Sequence, residues 1–377
     1  MSDDAEYDRY GRPPPPRANW HLVGHEEAEA EFLRLAGAGR LPHGWLVSGP
    51  AGIGKATLAY RLARWLLASG VDGRGVSAAA DGGGLAVDPT HPVFRRVASG
   101  GHADLLVLER AFDDARGRLK SEIPVDEVRR IPSFFAGTPA EGSWRIVVID
   151  GADHMNRNAA NALLKSLEEP PPRSLLLLVA DRPGALLPTV RSRCRRLVLR
   201  PLPSARVEDL LARYRPDLAA DERGRIAALT DGSIGGALAF ASSGGVALHA
   251  DLHRLLLALP RLDMAALHAF GDRAAATDAA FGQAQDLLTD FVAGVVHLAA
   301  GGDRRPDRGS EALGEMQRIA GTAPLDRWLT VWENVSDLLA HADSARLDRK
   351  QLVLAAAFMI GNAMRSGVSP DLLNPCA

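Results

Sequence analysis

The chain has two cysteines in 377 residues, Cys194 and Cys376. That is too few for a disulfide framework or a four-cysteine zinc site, and it fits a reducing compartment. Aromatic residues make up only 5% of the chain, and no sign of charge predominates, since 44 Lys and Arg face 46 Asp and Glu for a net charge of -2. A balance of that kind excludes a global field drawing the protein to nucleic acid or an anionic membrane, so any DNA contact must come from local geometry. Long apolar runs are missing as well. The stretch Leu352 to Ile360 falls far short of the roughly 20 residues that span a bilayer. The N-terminus carries Asp3, Asp4 and Glu6 where a secretory leader would be positive, and no apolar core follows. The expectation is a cytoplasmic protein without a membrane partner.

What is present is an ordinary globular composition, 46% hydrophobic and 24% charged, in a chain long enough for two or three domains. Residues 1–20 include the run Pro13 to Pro16 and are expected to be a disordered, extended tail. From 21 to 200, short apolar runs alternate with amphipathic segments: Trp45 to Val47, Leu105 to Leu108, Ile146 to Ile149, Leu175 to Val179 and Leu197 to Leu199. Unbroken apolar runs separated by helical patterns predict an α/β domain whose five-stranded parallel sheet is covered on both faces. Residues 70–101, with Gly82-Gly83-Gly84 and many alanines, interrupt that rhythm and are expected to be a flexible insertion. Residues 201–246 read as a small helical lid and 247–377 as an all-helical domain. In the latter, Leu352, Ala356, Met359 and Ala363 recur as one stripe, and Leu287, Leu288, Phe291, Val292, Val295 and Val296 as another.

Gly49-Pro50-Ala51-Gly52-Ile53-Gly54-Lys55 follows an apolar strand and opens a helix running to about Ala68, with Leu58, Leu62, Trp65 and Leu66 on its apolar face. This is the context of a phosphate loop. Glycines let backbone N–H groups turn inward, the helix N-terminus adds positive potential, and Lys55 reaches for the β/γ-phosphates. The residue after the lysine is Ala56, however, so no hydroxyl stands where Mg²⁺ is normally ligated. Thr57 is grouped with the nucleotide site, but successive helix residues are rotated by about 100° and its side chain leaves in another direction. The run Ile146 to Asp150 is an apolar strand ending in a carboxylate, as a Walker B strand does. The next residue is Gly151, where hydrolysing P-loop enzymes place a glutamate, and Asp153 is a poor substitute base. Gly49, Gly52, Gly54, Lys55, Thr57 and Asp150 thus form a degenerate nucleotide site, holding ATP or ADP weakly and the metal poorly.

The stretches Asn158 to Pro171 (NAANALLKSLEEPP) and Leu186 to Cys194 (LLPTVRSRC) strongly resemble clamp-loader AAA+ proteins. Gly24-His25-Glu26, Gly39 to His43, and His91-Pro92 ahead of Asp104-Leu105-Leu106 add to the likeness, which is close over about residues 20 to 245. The resemblance implies an AAA+ P-loop domain, a helical lid and a C-terminal collar that holds a pentamer together. It implies gamma/tau motor subunits and a delta subunit as partners, with the sliding clamp and primed DNA met through the complex. It also implies that Arg193 of Ser192-Arg193-Cys194 is an arginine finger for a neighbour's ATP site; read from the residues alone, Arg191, Arg193, Arg195 and Arg196 also fit a solvated basic face. Three departures stand out. The lid arginine of hydrolysing relatives aligns with Gly235; the four-cysteine zinc module of many relatives has no cysteine here, and His91 and His102 cannot replace it; and Ala56 and Gly151 remove the metal hydroxyl and the water-orienting carboxylate. The expectation is a non-hydrolysing member of a DNA polymerase holoenzyme. An active ATPase motor or other P-loop NTPase is the alternative, and a DNA-repair adaptor on the same scaffold a third.

Overall fold

The computed structural model describes residues 14–69, 84–113, 118–140, 144–242, 244–302, 310–340 and 348–364. By compactness the chain divides at Gly236/Ala237 into two units.

The first unit opens with helix α1 (Glu26–Gly37), strand β1 (Gly44–Ser48) and helix α2 (Lys55–Ala68). Helix α3 (Pro92–Ala98) and strand β2 (Leu105–Leu108) come next, followed by a small hairpin of β3 (Phe112–Asp113) and β4 (Arg118–Leu119) that the apolar runs do not announce. Then come α4 (Val125–Val128), α5 (Arg130–Ala136), β5 (Arg145–Asp150), α6 (Arg157–Glu168), β6 (Ser174–Ala180), α7 (Pro188–Arg191) and β7 (Arg195–Val198). Helices α8 (Ser204–Tyr214) and α9 (Ala220–Leu229) follow, and α10 (Ile234–Ser242) crosses the division.

The five long strands form one parallel sheet in the order β2-β5-β6-β1-β7, as the apolar runs predict. Because strand side chains alternate, neighbouring residues feed different layers. Trp45 and Val47 join Leu58, Leu62 and Leu66 of α2 on one face. Leu46 joins Leu163 and Leu167 of α6 on the other. Asn156 caps α6 by accepting from the Ala159 N–H at 2.9 Å. Its end falls just before Pro170, which has no N–H to continue the ladder.

Two expectations about mobile segments are corrected. Residues 1–13 lie outside the described residues, but 14–20 are anchored to α2 rather than forming a free tail. The Arg64 side chain, almost fully buried, needs acceptors, and it donates to the Arg17 and Asn19 carbonyls at 2.8 and 2.7 Å. Arg61 does the same to Trp20 O at 2.9 Å. Of the insertion, 70–83 lie outside the described residues, whereas 84–101 pack: Leu85, Val87, Phe94 and Val97 are buried. His91 caps α3, its Nδ1 accepting from the Val93 N–H at 3.2 Å; Nδ1 of the buried His102 accepts from the Asp104 N–H at the same distance.

The second unit contains α11 (Gly245–Leu257), α12 (Met264–Ala275), α13 (Asp278–Ala299), α14 (Ser310–Ala320), α15 (Leu325–Ala340) and α16 (Arg349–Ala363) around a single core. The two stripes expected from the sequence supply much of it, Leu288, Phe291, Val292 and Val295 from α13 and Leu352, Ala356, Met359 and Ala363 from α16. The division lies ahead of the 246/247 boundary expected from the sequence, because the last turns of α10 are tied to later helices. Gln283 Nε2 donates to Ala239 O at 3.2 Å, and the Phe240 ring meets His249. Among the described residues no helix is long and apolar enough to cross a membrane.

Candidate nucleotide site and arginine finger

At the carboxyl edge of the sheet three strand ends lie side by side. Ser48 of β1 pairs with Ala180 of β6, and Asp150 of β5 pairs with Val179. This crevice, where β1 is flanked by strands reached through crossovers, is where open α/β sheets bind ligands. The phosphate loop leaves β1 here. Gly49, Gly52 and Gly54 all have positive φ, and Gly54 caps α2 from the left-handed region. At Gly52 a side chain is also excluded by packing, since a Cβ would lie 2.4 Å from Ser233 Oγ and 3.1 Å from Gly235 Cα. His25, buried under the loop, fixes it through Nε2 to Ile53 O at 2.7 Å.

The lysine of this loop is already paired. Lys55 is 4% exposed, and its ammonium makes a 2.6 Å ion pair with Asp181 Oδ1 and also donates to the Pro50 carbonyl. Asp181 is the first residue beyond β6, the strand next to β1. The sequence reading missed it, although an acid following the apolar run Leu175 to Ala180 was the available signal. A second contact closes the loop from above. The Gly235 N–H donates to Gly52 O at 2.8 Å, and Ser233 Oγ donates to Ala51 O at 2.8 Å. Gly235, where the resemblance leads one to expect an arginine in hydrolysing relatives, lies against the loop so closely that a Cβ there would be 2.8 Å from Gly52 Cα. Ala56 offers no hydroxyl and Thr57 is buried. The glycines suit a phosphate, but as arranged the residues do not fit a Mg²⁺ nucleotide: the lysine is neutralised, the metal hydroxyl is missing and the lid sits on the loop.

Asp150 ends β5 with its carboxyl pushed up to about 6, chiefly by burial, then by the charges of Glu109 and Asp181, with Lys55 opposing. A carboxyl whose folded pKa lies above its unfolded value of 3.8 costs stability once it must ionise in place. The cost grows as pH rises from about 4 to about 6 and is complete above that. Asp150→Asn is therefore expected to stabilise the protein at pH 7.5, by on the order of 1–3 kcal/mol, and to flatten the pH dependence between 4 and 6. Thermal melting at pH 4.5, 6 and 7.5 checks this; equal shifts at all three would disprove it.

Gly151 has φ 76° and ψ 45°, a conformation that costs a side-chain-bearing residue about 1–2 kcal/mol. Gly151→Glu is thus expected to lower stability by that amount without creating an ATPase, because Ala56 still lacks the metal ligand. Calorimetric melting and a phosphate-release assay read the two effects. Asp153 is buried and committed elsewhere, accepting from the Asp181 and Arg182 N–H groups at 3.4 and 3.1 Å with the Arg182 guanidinium 3.6 Å away. It holds the turn after β6 in place.

Arg193 lies at the other edge of the sheet. It precedes β7, whose Arg195 pairs with Trp45 at the start of β1, and its carbonyl is near Gly44. The length of β1, roughly 15 Å at 3.3 Å per residue, separates it from the phosphate loop of its own chain. Its guanidinium is 37% exposed and is held by Glu168 Oε1 at 2.6 Å and by Thr189 O at 3.0 Å, contacts that use two of five N–H donors. Cys194 beside it is buried, with its thiol pushed up to about 12 by burial. Arg195 differs from Arg193, being paired with Glu31 at 2.6 Å across the sheet edge.

The parallel sheet with β1 between β6 and β7, the phosphate loop after β1 and the helical lid against that loop define an AAA+ P-loop domain. Residues 24–203 match the family described as DNA polymerase III, delta subunit. The chain is 38% identical over 206 residues to DNA polymerase III subunit delta' of Pseudomonas aeruginosa, covering 54% of this chain and 57% of that protein. It is 31% identical over 172 residues to subunit delta' of Bacillus subtilis, 46% of each chain. It is 32% identical over 193 residues to subunit gamma/tau of Mycobacterium tuberculosis, 51% of this chain and 30% of that protein. Residues 24–203 are thus similar to DNA polymerase III delta and delta' sequences, and the chain spans about half the length of the delta' relatives it matches.

Proposed function

We propose that the chain works as the delta' subunit of the DNA polymerase III clamp loader, as an AAA+ subunit without hydrolysis of its own. In this reading it joins gamma/tau motor subunits and a delta subunit through the helices of its second unit, and it supports loading of the sliding clamp onto primed DNA in the cytoplasm. Helices α8 to α10 act as the lid, and Arg193 serves a neighbour's ATP site.

The observation that carries the reading is the state of Lys55. Its ammonium is neutralised by Asp181 beneath a lid glycine, in a loop that also lacks the metal hydroxyl. An ATPase needs that lysine for phosphate and that hydroxyl for Mg²⁺. The Arg193 guanidinium lies at the opposite edge of the sheet from the chain's own loop, held by Glu168 and Thr189. A planar, permanently charged fork suits that task because it bridges phosphate oxygens as charge develops.

Identity to gamma/tau, together with Lys55 and Asp150, favours a second reading as an ATPase motor. The purified chain separates the two. Phosphate release is expected at background, with or without DNA, and co-purification with gamma/tau and delta is expected to yield an assembly that loads clamps. A Mg²⁺-dependent turnover on the order of 1 s⁻¹ that disappears in Asp150→Ala would establish the motor reading instead.

A further inference from the structure

On the flank of the first unit, beside the distal half of α2, lies a cavity of about 640 Å³ walled by three elements. The arm contributes Trp20 and His21, α3 contributes Phe94 and Arg95, and the end of α8 contributes Arg213 and Tyr214. No residue of the phosphate loop lines it, and among its lining residues there is no carboxylate. The volume is that of a small-ligand site. Trp20 is 43% exposed although its backbone carbonyl is bound by Arg61, so part of the indole is left toward solvent. Arg213 stands over one face of the ring at 5.2 Å from the centroid, which places a cation against the indole. His21 is held below its ordinary pKa, chiefly by burial and then by the charges of Arg213 and Arg61.

We propose that this cavity binds one nucleotide unit of single-stranded DNA, with the base stacked on Trp20 and the adjoining phosphodiester between Arg95 and Arg213. Aromatic platforms flanked by cations take single strands without regard to sequence, because every base has a π-face. Two guanidiniums supply the cationic flank that a phosphodiester backbone calls for. The inference does not depend on the clamp-loader reading, since it concerns binding by the chain alone.

The test is fluorescence anisotropy of the full chain with a labelled thymidine oligonucleotide of about 15 residues, within the span of known single-strand sites. Trp20→Ala is expected to weaken binding about five- to hundredfold, and Trp20→Phe to retain most of it. Arg95→Ala is expected to reduce the slope of log K against log salt by about 0.7. Arg225→Ala, an exposed arginine of α9 paired with Asp221, is expected to change neither, and melting curves verify that each variant is folded. The proposal is overturned if the wild-type chain does not bind the oligonucleotide, or if folded Trp20→Ala binds it as tightly as wild type. Equal affinity for thymidine monophosphate and the oligonucleotide also overturns it, by making the cavity a mononucleotide site.

Discussion

If Arg193 is the finger proposed above, Arg193→Ala is expected to leave the chain folded and assembled with gamma/tau while abolishing hydrolysis at the ATP site that the finger serves. An arginine finger given in trans is worth roughly 10³–10⁵ in rate, or about 4–7 kcal/mol. The fold should not notice the change. The Arg193–Glu168 pair lies with both partners well exposed, and such pairs contribute about 0–1 kcal/mol to stability. Because other sites in the assembly keep their own chemistry, total phosphate release is expected to fall only by that site's share, whereas clamp loading, which requires coordinated sites, is expected to be impaired. Arg193→Lys is not expected to rescue, since a point charge cannot reproduce the fork. Glu168→Gln loosens the guanidinium without deleting it and is expected to give an intermediate rate. Arg195→Ala and Arg196→Ala serve as controls and are expected to cost little. Single-site hydrolysis in the reconstituted assembly decides the matter; wild-type clamp loading by Arg193→Ala would return Arg193 to the solvated basic face.

Asp181→Asn is expected to convert a reluctant phosphate loop into one that binds nucleotide. In the native arrangement an incoming phosphate must displace a carboxylate from Lys55 at 2.6 Å. Removing that competitor restores a charge-assisted hydrogen bond to the ligand, worth about 1.5–3 kcal/mol, so ATP affinity is expected to rise by roughly ten- to a hundredfold. The gain should be nearly independent of Mg²⁺, because Ala56 supplies no ligand, and it should vanish in the double variant with Lys55→Ala. The same substitution deletes one of the like charges that raise Asp150, so the Asp150 carboxyl is expected to move down toward the ordinary range. Isothermal titration with and without Mg²⁺ measures the first effect, and carboxyl NMR titration the second. Unchanged ATP affinity in folded Asp181→Asn would mean that the lid contact, Gly235 N–H to Gly52 O, is what closes the loop.

Local chemistry wrote much of this protein into its sequence. Unbroken apolar runs become buried parallel strands because both faces of each are covered, the glycines of the phosphate loop stand where positive φ is required, and Pro170 follows the end of α6 because it cannot extend the hydrogen-bond ladder. That Ala56 carries no hydroxyl and Gly151 no carboxylate was legible for the same reason, since each is a property of one residue in a known local frame. Other features depend on residues far apart in the chain. Lys55 and Asp181 meet only because β1 and β6 are neighbours in the sheet, an order that apolar periodicity does not encode. Gly235 settles on Gly52 only because the lid folds back over the loop. The arm at 14–20 looks like a polar, proline-rich tail until Arg64, buried in α2, takes the carbonyls of Arg17 and Asn19 as its acceptors. Arg193 is one arginine among four in sequence. The tertiary structure places it at the sheet edge opposite its own phosphate loop, held by Glu168 and Thr189, with Arg195 beside it paired to Glu31.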